Sequence, residues 1–204
     1  MELMFDEASH TYTMGGKVLP SVTEICAPLQ AGKYPAGAGV VEAAAARGTR
    51  VHELCALYDM DAMPDEFEAE LAPYLQAWAA FCRDYRPTWE FVEQKLWGVV
   101  NGNGIAGTAD RIGLIDGKRV VVDIKTAQSM DRASKVALCC QLEGYAHMAF
   151  ERGIDVFETG LGVQLMKDGT YRIQSQRKIE EKYRFDSYLL LSQLREMHYI
   201  LKGV

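Results

Sequence analysis

The chain has 204 residues, 49% of them hydrophobic, and a formal net charge of −6. That size supports one core with decorations, and the acidic balance argues against a protein that coats nucleic acid through a general basic surface. Its opening shows no basic stretch leading into an apolar core, and no apolar run reaches the ~18 residues of a membrane span, so a cytoplasmic protein without membrane contact is expected.

In chain order, Met4 to Leu19 reads as two short strands around Met14-Gly15-Gly16. Ser21 has the character of a helix N-cap, with Glu24 three residues later completing a capping box. Ala31 to Gly39, rich in Gly, Ala and Pro, reads as a mobile loop. Val41 to Tyr58 follows as a helix in which Val51, Leu54, Cys55 and Tyr58 form an apolar stripe; Gly48 is its weak point and His52 lies at the stripe's edge. Leu71 to Tyr85 is an aromatic-rich helix ended by Pro87, and Trp89 to Val100 is a strand leading into a turn at Asn101–Gly104. After the hairpin discussed next, Val136 to Arg152 is a helix closed by Gly153. Thr159 to Met166 and Thr170 to Gln176 pair around Asp168-Gly169, and a last helix runs from Phe185 to Leu201 with Leu190, Leu194, Met197 and Leu201 at helical spacing. The order of elements fits a central mixed β-sheet flanked by helices.

The segment from Gly107 to Thr126, GTADRIGLIDGKRVVVDIKT, carries the chemistry. Asp116-Gly117 between two strand-like runs signals a tight hairpin. A two-residue loop there sets Asp110 opposite Asp123 and Thr108 opposite Lys125. Alternation then points Asp123 and Lys125 to one side with Asp110 beside them. Opposed positions have Cβ atoms about 4.5–5.5 Å apart, where like charges repel. Such a pair calls for a cation, and paired carboxylates suit Mg or Mn. The apolar run Val120–Val122 and Ile124 around Asp123 suggests a strand buried in a sheet, where a carboxylate needs a partner or a metal.

Gly-x-x-Asp, a strand, Asp-x-Lys-Thr and then Gln141 to Tyr145 on a following helix resemble the PD-(D/E)XK nuclease superfamily, in particular its RecB-like and phage-type exonuclease branch. LPSVTEI (Leu19 to Ile25) resembles that branch's Ser-Val-Thr opening, and RGTRVHE (Arg47 to Glu53) its histidine motif. The order of segments is also similar to that of mitochondrial genome maintenance exonucleases. The likeness spans roughly Leu19 to Gly169. Two details depart from the pattern without removing a ligand: Ala109 stands where Pro precedes the first carboxylate, and the acidic residue of the last motif is Asp123.

The resemblance implies a restriction-endonuclease-like α/β core. It would form one nuclease domain over 1–204, with an N-terminal strand and helical elaboration (1–88), a catalytic core (89–177) and a C-terminal helix (178–204). It implies an Mg- or Mn-dependent deoxyribonuclease in which Asp110, Asp123, His52 and the Ile124 carbonyl hold the ion and Lys125 positions water. Glu93 would hold a water, a second metal or Lys125. Gln141 and Tyr145 would guide substrate or support the lysine. Thr126 and Ser21 are candidate phosphate donors, and Arg47 and Arg50, with Arg132 and Lys135, candidate groove residues. The substrate expected is DNA with an end, single- or double-stranded, in phage or prophage recombination, repair or replication, with a recombination or single-strand-binding protein as a possible partner. A structure-selective flap or branch endonuclease, an idle DNA-binding subunit of the same fold and a non-nuclease metal-binding protein are the alternatives. Some relatives hold an iron–sulfur cluster on four spaced cysteines. Cys26, Cys55, Cys82, Cys139 and Cys140 contain no C-x-x-C, so no cluster is expected.

Overall fold

Two dipeptides, Asn101-Gly102 and Asp116-Gly117, frame the main sheet. All four residues have positive φ (50°, 76°, 51° and 75°), as a type I′ turn requires, and each closes a two-residue hairpin. In the computed structural model, which describes residues 2–30, 38–156, 160–175 and 181–202, these turns join β4 (Thr88–Val100), β5 (Asn103–Ile115) and β6 (Lys118–Lys125) into an antiparallel meander. The expected register holds along the paired stretch, from Ile115 opposite Lys118 to Arg111 opposite Val122. β7 (Leu161–Leu165) lies parallel to β6, and β8 (Tyr171–Ser175) closes the order β4-β5-β6-β7-β8. Parallel neighbours need a crossover, and α4 (Arg132–Phe150) supplies it. The expected mixed sheet flanked by helices is therefore present.

Alternation along β6 splits the core. Val121 faces a cluster built with α1 (Val22–Cys26), α4 and α5 (Glu181–Lys202), including Ile25, Leu142, Met148 and Leu191. Val120, Val122 and Ile124 face a second cluster with Val51 and Cys55 of α2 (Ala38–Asp59) and Trp78 and Phe81 of α3 (Ala72–Tyr85). On β5, Ala106 also turns away from α4, toward Tyr12 and Leu19 of a small N-terminal sheet. That sheet and the α2–α3 pair thus cover adjacent parts of one face.

The N-terminal sheet has three strands, not two: β1 (Leu3–Asp6), β2 (Thr11–Met14) and β3 (Lys17–Leu19). The extra strand returns through a loop in which Asp6 Oδ1 accepts from the Ala8 and Ser9 amides. Ser21 caps α1 as expected, accepting from the Glu24 amide while the Glu24 carboxylate accepts from the Ser21 amide. Pro20 O accepts from Ala106 N at 3.0 Å, which pins this segment to β5.

The C-terminal helix is rotated from the expected stripe. Met197 and Leu201 are 52% and 78% exposed, while Ser187, Leu191, Leu194 and Arg195 are buried. Arg195 Nε donates to Gly104 O. Leu190 packs against the same core, so the expected stripe holds at Leu190 and Leu194 and fails at Met197 and Leu201, because the buried face includes the polar Ser187 and Arg195. α4 also starts earlier than Val136, at Arg132, because Asp131 caps it by accepting from the Ser134 amide. Residues 31–37 of the expected loop, Thr159 and Gln176 at the expected strand ends, and the expected boundary at 177–178 lie outside the described residues. Among the described residues no helix is long and apolar enough to cross a membrane.

Candidate metal centre

β5 and β6 part company just beyond Arg111 and Val122. β6 continues beside β7, with Asp123 facing Gly162 and Lys125 facing Gln164, while β5 continues beside β4. Ile124 would lose two ladder partners at this fork, and buried backbone groups must be satisfied. Side chains do it: Asp110 Oδ2 accepts from the Ile124 amide at 2.6 Å, and His52 Nε2 donates to the Ile124 carbonyl at 3.0 Å. α2 can deliver His52 because Val51 and Cys55 anchor the helix in the core containing Val122 and Ile124.

The strands also reverse face at this point. Ala109 and Ile112, three residues apart, both join the α4-side core, which a regular two-residue period forbids. Glu93, between the pairs Val92–Arg111 and Gln94–Ala109, faces Asp110 and has φ 51°. A left-handed glutamate is strained, and such strain clusters at functional sites. The outcome is a triad: one ligand atom each from His52, Glu93 and Asp110 lie within 4.8 Å of one another. Two carboxylates and an imidazole can coordinate a divalent metal ion.

Charge in the triad is balanced by a proton. His52 Nδ1 is 3.3 Å from Asp110 Oδ1, while Nε2 faces a carbonyl, so both ring nitrogens meet acceptors. Burial alone would lower the His52 pKa; Asp110, then Glu93 and Asp123, overcome it and raise it to about 9. Burial pushes the Asp110 carboxyl up, but His52, the Ile124 amide and Lys125 outweigh it and hold it below the usual range. Glu93 lies above its usual range, from burial and then the nearby Asp110.

Asp123 sits differently from its expected place in the ligand set. Its Oδ2 is 2.8 Å from Lys125 Nζ, an ion pair without hydrogen-bond alignment, so that buried oxygen has no aligned donor. Burial and then Asp110 raise its pKa despite Lys125. Lys125 Nζ donates to Gln141 Oε1 at 2.9 Å. Burial disfavours the ammonium, but Asp123 and Asp110 more than compensate, so it stays charged. The Ile124 carbonyl, also expected as a ligand, accepts from His52 Nε2 and so orients the ring.

No protein-family model and no curated protein matches this chain. Among solved structures, one described as the crystal structure of SSO0001 is similar over 63% of this chain and 57% of that one, at 22% identity and a TM-score of 0.39. A likeness that loose leaves the centre to be read from its own geometry.

The remaining expected residues divide. Gln141 joins the centre through Lys125. Tyr145 is buried (5% exposed), touches Thr23 and fills the space beside Gly107, where an added Cβ would lie 2.8 Å from its ring. Its ring is therefore closed to substrate, against the expectation that it guides substrate, and Gly107 is small because this ring needs the room. Ser21 is likewise buried and occupied in capping. Thr126 is half-buried, with its hydroxyl beside Gly48 of α2. Arg47 is half-buried with an unpartnered, buried Nε. Arg50 is exposed and paired with Glu53 and Glu68 at 3.3 and 2.6 Å, so its charge is already engaged. Arg132 and Lys135 are exposed on the first turn of α4. Of the cysteines, Cys26 meets Cys140 in the α4-side core, while Cys55 is buried in the other, where Cys82 lies against Asp59.

Sequence reading passed over Arg111 and Asp59. Arg111 is fully buried; its Nε donates to Asp59 Oδ2 at 2.5 Å, and its Nη1 donates to Glu93 Oε1 at 3.0 Å and to the Asp110 carbonyl. Asp59 also accepts from Trp78 Nε1 at 3.0 Å. The signals were present: an arginine inside an apolar strand run, and an aspartate seven residues after His52 on the same helix.

Proposed function

We propose that this chain is a metal-dependent DNA exonuclease with a PD-(D/E)XK core, a single nuclease domain that serves recombination, repair or replication in a phage or prophage setting. One observation carries the reading: the His52–Glu93–Asp110 triad lies at the same strand fork as Lys125, which is held between Asp123 and Gln141. The donor set fits Mg or Mn, and the unaligned buried oxygen of Asp123 is a further donor at the fork.

His52, Glu93 and Asp110, with Asp123 beside them, would hold the ion. When bound, a divalent cation supplies Lewis-acid polarisation of a phosphoryl oxygen and lowers the pKa of coordinated water. The protein does the rest. His52 keeps its Nε2 proton on the Ile124 carbonyl, which fixes the tautomer and leaves Nδ1 facing the centre. Lys125, fully charged, cannot take a proton from water. One of its donors is held by Gln141 and its charge is paired with Asp123, which leaves a donor to orient the attacking water or meet a phosphate oxygen as negative charge develops. Water oxygen bonds to phosphorus, the P–O bond to the departing sugar oxygen breaks, the water proton leaves to solvent and the departing oxygen takes a proton from solvent.

An exonuclease is favoured by the walls. The N-terminal sheet reaches β5 beside the triad, where Tyr12 and Thr108 share a hydrogen bond of 2.7 Å, and α2 closes the other side. A strand threaded from an end suits such a passage better than an intact duplex.

The test is digestion of end-labelled linear DNA against closed circles, single- and double-stranded, with Mg, Mn or EDTA. The expected result is release from ends, supported by either metal and abolished by EDTA. Rapid cutting of closed circles would replace the reading with an endonuclease. DNA binding without cutting would indicate an idle subunit, and neither activity a non-nuclease metal protein.

A further inference from the structure

Arg111 is a fully buried charge just outside the centre. Its guanidinium is fully buried, lies 5.5 Å over the Trp78 ring and bridges Asp59 at the end of α2 to Glu93 on β4 and the Asp110 carbonyl on β5. The Asp59 carboxylate is fixed in turn by Trp78 of α3. Nη2 is buried without a partner. For stability alone this is a poor arrangement, since a buried ion pair seldom outperforms apolar packing and an orphaned donor adds a penalty. What the pair does provide is geometry. Arg111 holds one oxygen of Glu93, a residue whose left-handed backbone needs restraint. Asp59 lies two helical turns beyond His52, so the bridge also ties the helix that carries the imidazole to the strands that carry the carboxylates.

We propose that Arg111, anchored by Asp59, is a positioning residue that preforms the divalent-cation site by fixing Glu93 and docking α2. This rests on the triad binding a metal and is independent of the substrate. A planar guanidinium makes the bridge with several donors at fixed angles; a lysine ammonium in its place is a single point charge and cannot span both carboxylates.

The test compares Mn2+ binding by calorimetry with thermal unfolding in EDTA. The double variant Asp59→Leu/Arg111→Met removes opposite charges together and leaves an apolar contact. It is expected to remain folded yet bind Mn2+ about 10- to 100-fold more weakly, the range for removing residues that orient ligands. Arg111→Lys, which keeps the charge, serves if the double variant does not fold and should also weaken Mn2+ binding at least about tenfold. Mn2+ affinity within twofold of wild type in the folded variant, while Glu93→Gln loses binding, overturns the positioning role and leaves the centre standing. A wild-type protein that binds no Mn2+ overturns the centre itself, and this inference with it.

Discussion

The two ends of the β5–β6 hairpin are built on opposite principles. At the closed end, two residues with positive φ set the register through local backbone chemistry. At the open end the strands separate, and the ladder is finished by side chains from elsewhere: Asp110 on the Ile124 amide and His52, seventy-two residues earlier, on its carbonyl. The first is short-range and indifferent to the rest of the fold. The second exists only when α2 has docked. The candidate metal centre sits where local pairing gives out, because that is where polar backbone is open to side chains inserted from elsewhere.

If this contrast is right, damage at the open end should remove function and damage at the closed end only stability. The largest effect is expected from Asp110→Asn, which should cut Mn2+ affinity by at least about 100-fold and nuclease activity by several orders of magnitude. Calorimetry and the end-label assay check it, and full activity would sink the triad. Lys125→Ala comes next: turnover should fall about 10²- to 10³-fold with Mn2+ affinity retained, because an ammonium stabilises developing charge without ligating a cation. Equal loss of metal binding would contradict that division.

The pH dependence is smaller and has a definite sign. His52 titrates near 9 in the folded protein against 6.5 in its ordinary state. Because the folded value is the higher one, its contribution to metal-free stability is complete below pH 6.5, fades as pH rises and is lost through about 9. Metal binding runs the other way. A proton must leave Nδ1, so Mn2+ affinity should climb up to about tenfold per pH unit in that window. Denaturant midpoints in EDTA and calorimetry across pH 6 to 9.5 test both trends, and parallel slopes would refute the shared role of the ring. The mildest change belongs to the closed end. Gly117→Ala, at φ 75°, should cost about 1–2 kcal/mol in unfolding free energy and leave Mn2+ affinity unchanged.

What the sequence disclosed follows the same division. The Asp-Gly turn, the register, the Ser21 capping box and the helix carrying His52 were legible because each depends on a few neighbours. Asp110, Asp123 and Lys125 were picked out by an expected pairing of Asp110 with Asp123, but the strands part before reaching it, and the face reversal at Glu93 and Asp110 groups Asp110 with His52 and Glu93 while Asp123 pairs with Lys125. No local pattern announces that reversal. Tyr145 and Ser21 looked available because hydroxyls and rings are chemically suited to substrate, but burial is decided by packing across the sheet. Arg111 escaped because a strand arginine reads as surface until the opposing helix is in place.

The distance along the chain between His52 and the strands it meets also has a kinetic meaning. The β4–β5–β6 meander needs only neighbouring segments and can form early, whereas bringing His52 of α2 to Ile124 closes a loop of seventy-two residues. During refolding, then, the sheet should protect its amides from exchange before the protein can take up Mn2+. The centre should then be a late product of folding, and metal present from the start should capture the docked helix without hastening the pairing of strands.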